Sequence, residues 1–157
     1  MQLARFAVAM VVAATMLCGI PAEAGASDPS AVLATVRQFV DSFNKGDAAT
    51  GEAACASPAS IIDEFPPHEW HGATACADWS RAYDENAAKN GITDGFVTLG
   101  TPWHIDITGD RAYVVVPATY AYRQHGKPVL EPHSLFTVAL KKLPAGWRIA
   151  AWTWSKH

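Results

Sequence analysis

The second half of the chain is dominated by four long segments rich in Val, Ile, Thr, Tyr and Trp, residues 96–108, 112–124, 129–142 and 147–156. Short connections of three or four residues, holding Gly109-Asp110, His125-Gly126-Lys127 and Pro144-Ala145-Gly146, separate them. β-Branched and aromatic side chains fit a pleated, half-buried surface, and Gly, Pro, Asp and Asn supply the tight turns. Connections this short join neighbouring antiparallel strands, because a parallel crossover needs a dozen or more residues. An antiparallel four-strand meander is therefore expected.

The preceding residues have a helical texture. Asp28-Pro29 offers an N-cap acceptor followed by proline at the first helical position. Val32, Leu33, Val36, Phe39, Val40 and Phe43 then recur on one face, and Gly46 is the expected stop. Asp47 can cap a short second helix running to about Cys55. Residues 60–65 form a short strand ended by Pro66-Pro67. A third helix is expected over 74–90, with Cys76, Trp79 and Tyr83 on one side. Arg81–Glu85 and Glu85–Lys89 can pair at i, i+4 on the other side, and Gly91 ends the helix. The order α-α-β-α-β-β-β-β makes this an α+β chain.

Residues 1–24 are expected to lie outside the fold. Arg5 is the only charge before Glu23, residues 6–20 form an uncharged apolar run, and Ala22-Glu23-Ala24 follows Pro21. This is the layout of a secretory signal peptide cleaved after Ala24. An uncleaved anchor is the rival, but the run is short for a span of about 20 apolar residues. Leu17 is too large for a lipoprotein signal at Cys18. Residues 25–157 then form a single exported domain, periplasmic or extracellular, with no membrane association after cleavage. Arg5 and Glu23 cancel, so the net charge of −3 holds for the domain. That charge offers no broad basic field for nucleic acid. Cys55 and Cys76 remain and are expected to pair in an oxidising compartment, the rival being two buried thiols.

The order of elements resembles the nuclear transport factor 2-like superfamily, which includes SnoaL-like cyclases and ketosteroid isomerases. The residues that carry the resemblance are Phe39-Val40-Asp41-Ser42-Phe43-Asn44-Lys45-Gly46-Asp47 at the first helix exit and Ser60-Ile61-Ile62-Asp63 on the short strand. Trp70-His71-Gly72 precedes the third helix, and Gly146-Trp147-Arg148-Ile149 leads into Trp152 and Trp154. The resemblance implies a cone-like curved sheet wrapped around the N-terminal helices, with an aromatic-lined pocket at its wide end, and a homodimer. Trp79, Tyr83, Tyr120, Tyr122, Trp152 and Trp154 are the expected walls, with core filling as the alternative role of each.

Asp63 and Glu64 are strand neighbours, so only one is expected to face the cone. By resemblance, Asp63 falls where ketosteroid isomerases place their general base. A half-desolvated carboxylate there would have a raised pKa, suited to moving a proton beside a carbonyl. The alternative is a strand-end acceptor for backbone N–H groups in the proline turn. Two departures weigh against steroid isomerisation. Phe39 stands where the resemblance calls for a tyrosine, and His133 and Ser134 stand nearest the missing acid of the third long strand. Oxyanion stabilisation is usually the largest catalytic contribution. His68 and His71 are expected as a polar loop at the pocket mouth. Their prolyl stretch lacks the H-E-x-x-H spacing of a zinc helix, so no metal is expected. No cofactor motif or nucleophile constellation is present.

Three functions follow. The leading one is an exported module binding a small, mostly apolar molecule, oriented by Asp63 and one or two histidines. The second is a proton-transfer enzyme, an isomerase, cyclase or dehydratase, with Asp63 as base. The third is a structural protein whose own side chains fill the cone.

Overall fold

The computed structural model describes residues 29–156; the expected signal peptide, the expected Asp28 cap and His157 lie outside them. Three helices and seven strands follow in the order α1 (Pro29–Lys45), α2 (Ala48–Ala54), β1 (Cys55–Ile62), β2 (Glu69–Gly72), α3 (Ala75–Asn90), β3 (Ile92–Leu99), β4 (His104–Thr108), β5 (Arg111–Gln124), β6 (Lys127–Leu143) and β7 (Gly146–Ser155). They build one open sheet in the order β2-β1-β7-β6-β5-β3, with β4 beside β3 on the edge of β5. The fold is the α+β cone expected from the sequence.

The meander is present, with one break. The segment read as a single strand over 96–108 is two strands. Pro102 has no N–H to donate, so the ladder lapses. The chain still follows β5 there, through Gly100 N–H to Pro117 O (2.8 Å) and Trp103 N–H to Val115 O (2.9 Å). Gly100 fits because an added Cβ would stand 3.0 Å from Pro117 Cγ.

The short strand is Cys55–Ile62 rather than residues 60–65, and it pairs parallel with β7, which makes the sheet mixed. It also pairs antiparallel with β2, an element the sequence reading lacked. Alanine, serine and Pro58 give β1 little intrinsic β character; its two partners define it. The third helix begins at Ala75, with Thr74 at the cap position. Arg81 pairs with Asp78 at 2.6 Å rather than with Glu85. Gly91 ends the helix in the left-handed region at φ 62°.

The concave sheet face packs on α1 and α3. From α1 it buries Val32, Val36, Phe39 and Val40, with Leu33 and Phe43 partly covered. Val114, Val116, Phe136, Val138, Leu140 and Ile149 alternate inward from the long strands. Cys55 and Cys76 form a disulfide that ties the start of β1 to α3.

A candidate functional site at Asp63

Along β1, Ala59 and Ile61 point inward and Ile62 outward, and the alternation carries Asp63 inward just beyond the strand. The loop closes behind it through Asp63 N–H to His68 O (3.0 Å) and His68 N–H to Phe65 O (2.9 Å). Asp63 is 9% exposed. Its Oδ1 accepts the Glu64 N–H at 2.7 Å, and its Oδ2 accepts the Trp79 indole N–H at 2.8 Å. It thus serves as an acceptor for its own loop while facing the cone. Burial pushes the Asp63 carboxyl up to about 6, against the lowering effect of those two hydrogen bonds; Glu64 raises it and Lys156 lowers it.

Beside the carboxyl lies a cavity of about 80 Å³. Phe39 and Phe43 of α1, Trp79 and Tyr83 of α3, and Tyr120, Phe136, Trp152 and Trp154 of the sheet line it, with Phe65 from the loop. The rings interlock: Phe43 meets Tyr83 edge-on at 4.9 Å between centroids, and Trp79 meets Trp152 edge-on at 4.9 Å. Offset and edge-to-face contacts of this kind rigidify the wall. Tyr83 and Tyr120 join their hydroxyls across it. Two hydroxyls carry two protons and one bond uses one, so a second O–H remains to donate. Gly95 permits this pairing, since a Cβ there would stand 2.7 Å from one hydroxyl and 2.8 Å from the other.

Glu64 also touches the cavity, contrary to the expectation that only one of the acidic neighbours could. The strand has ended by Glu64, so alternation no longer governs it. Its carboxylate meets Lys156 Nζ at 2.8 Å, and the same ammonium meets Glu131 at 2.9 Å. Tyr122 donates to Glu131 at 2.8 Å and stacks on Tyr120, but it does not reach the cavity.

The histidines are elsewhere. His133 is exposed at φ 66°, in a bulge where Pro132 and His133 oppose the single residue Thr119. The extra residue resets the alternation, so Glu131 and Ser134 share the inner face while His133 points out. A proline inside a β-rich run is the sequence signal for such a bulge. His68 and His71 are exposed; His68 Nδ1 lies 3.2 Å from Asp63 O, and His71 pairs with Glu69 at 3.4 Å. Among the described residues no group of three or more His, Cys, Asp or Glu could hold a metal ion.

Of the residues expected at the site, Asp63, Trp79, Tyr83, Tyr120, Trp152 and Trp154 come together. Tyr122, His68, His71 and His133 do not line the cavity. The sequence reading missed Phe65, Phe136, Glu131 and Lys156. Among the described residues, Trp152 Nε1, Ser134 Oγ and Glu131 Oε2 are buried without a hydrogen-bond partner.

The sequence pattern of the SnoaL-like domain matches residues 32–156. No curated protein matches the chain. The fold is similar to that of a nuclear transport factor 2-like superfamily protein from Salmonella enterica, at 16% identity and TM-score 0.68, over 81% of this chain and 89% of that one. It is also similar to a candidate ketosteroid isomerase from Shewanella frigidimarina, at 24% identity and TM-score 0.64, over 81% and 96% of the two chains. A candidate dehydratase of the NTF2-like family from Streptomyces avermitilis is similar at 17% identity and TM-score 0.64, over 82% and 95%.

Proposed function

The chain belongs to the SnoaL-like domain family, and from that premise we propose that it is an exported binding protein whose cone takes a small, mostly apolar molecule beside Asp63. The carrying observation is the concentration of polar capacity in an aromatic cavity. Asp63 supplies a buried carboxyl and Trp152 a buried indole N–H without a partner. Apolar walls with few convergent polar groups are the usual make-up of a small-molecule site. The disulfide fits an oxidising compartment. The reading also includes a homodimer formed through the outer sheet face.

A screen of small apolar compounds, read by thermal shift and Trp fluorescence, tests the binding reading. A ligand at about 100 times its Kd adds roughly 2.7 kcal/mol of stability. A library in which nothing moves the midpoint or the emission rejects it.

A second reading, proton transfer with Asp63 as general base, is favoured by the same carboxyl's rise to about 6, near neutral pH. The dehydratase and isomerase descriptions belong to the similar structures. Asp63→Asn separates the two readings. It abolishes turnover if the protein is an enzyme and only weakens affinity if it is a binder.

A further inference from the structure

We propose that the molecule held beside Asp63 carries a small organic ammonium group, and that Asp63 and the surrounding rings recognise that charge. The inference rests on the cavity being a ligand site, and it names the ligand's class.

Asp63 is almost fully buried, yet its two hydrogen-bond donors are both neutral N–H groups. Among the described residues no cation stands within ion-pair distance of it. Buried carboxylates are ordinarily paired, because removing the charge from water costs several kcal/mol. The nearby ammonium, Lys156, is already shared by Glu64 and Glu131. Asp63 and Glu64 thus line the cavity with no cation among its lining residues, and a ligand cation would reduce the imbalance.

The walls favour the same chemistry. Phe39, Phe43, Trp79, Tyr83, Tyr120 and Trp152 surround the space beside the carboxylate. Aromatic faces carry partial negative charge, and a ring-lined box attracts quaternary and methylated ammonium groups. Behind Phe39, Phe43, Trp79 and Tyr83 lies a second, larger groove of about 450 Å³ between the helices and the start of β3. Asp47, Glu52, Asp84 and Asp94 line it against the single cation Lys45. Acidic residues therefore outnumber basic ones in the lining on both sides of the aromatic wall, even though Asp94 pairs with Arg123, and such an excess favours cations. A cavity of about 80 Å³ is small beside the 150 Å³ that holds benzene in an engineered protein. It suits a compact head group, with the rest of the ligand extending toward the mouth.

The test compares choline with its uncharged carbon isostere, 3,3-dimethylbutan-1-ol, at matched ionic strength. Binding is read from Trp fluorescence and from the thermal midpoint. Choline is expected to bind about tenfold or more tightly than the isostere. In Asp63→Asn that preference is expected to vanish, the affinity for choline falling to that for the isostere. If the variant does not fold, the comparison on the native protein still decides. An isostere that binds as well as choline overturns the ammonium class and leaves the binding reading standing. A protein that binds neither probe, yet responds to other neutral compounds, also overturns the class alone. One that responds to nothing in either experiment overturns both.

Discussion

Asp63 is a residue whose ionisation opposes folding. Its carboxyl titrates near 6 in the folded chain and near 3.9 when unfolded. Between those values the native state holds a proton that the unfolded chain has released, so stability falls as pH rises through roughly 4 to 6. Above that window the cost stays in full. Asp63→Asn removes the charge and keeps an acceptor for Trp79 or Glu64. Urea denaturation is expected to show the variant about 2 kcal/mol more stable than the native protein at pH 8, with the gain shrinking toward pH 4. A difference that does not vary with pH would mean that Asp63 is not desolvated. Groups kept at a stability cost are a mark of functional sites. This residue was legible in the sequence through its place before Pro66-Pro67 and through family resemblance. Glu131 was not. It faces inward only because the Pro132-His133 bulge resets the strand, and the family resemblance pointed to His133 and Ser134 instead.

At the scale of elements, the sequence revealed periodicity well and pairing poorly. α1 buries the face its apolar spacing marked, and the long strands follow the turn residues. β2 escaped because four residues carry too little pattern, and β3 and β4 merged because Pro102 was not counted as a break. Two contacts between elements give separate predictions. Cys55–Cys76 closes a loop with a sequence separation of 21, which stabilises by about 3 kcal/mol on the chain-entropy model. The double variant Cys55→Ala/Cys76→Ala is expected to lose about that much in denaturant titration, and an unchanged midpoint would show that α3 and β1 hold without the bridge. Gly95 lies where β3 shifts register against β5, beneath the joined hydroxyls of Tyr83 and Tyr120. Gly95→Ala must separate them, so about 1–3 kcal/mol of destabilisation is expected. Tyr83→Phe in the Gly95→Ala background should cost little more, because the hydroxyl bond is already gone. Full additivity of the two changes would contradict the contact.

Across the whole molecule, the bent sheet has one face on the helices and one toward solvent. Val115, Pro117, Leu135, Thr137, Ala139, Ala151 and Thr153 sit on that outer face, uncharged and half-buried. Such a surface can meet its own copy about a two-fold axis, and light scattering is expected to give twice the chain mass; a monomer at micromolar concentration would remove the dimer from the proposed function. Thr137→Lys should then give monomers that keep the cavity, since Thr137 points away from it. The sequence by itself determined the α+β class and the order of the long elements, and it pointed to the cysteine pair and the suspect carboxylate. Each is written in short-range spacing or in residue type, which survive without knowledge of the partners. Tertiary structure alone decided which rings meet, how much space they leave beside Asp63, and that Glu64, Glu131 and Lys156 close into one cluster. Those outcomes depend on register, bulges and the contacts of residues far apart in the chain. There a shift of one residue exchanges the inner face of a strand for the outer.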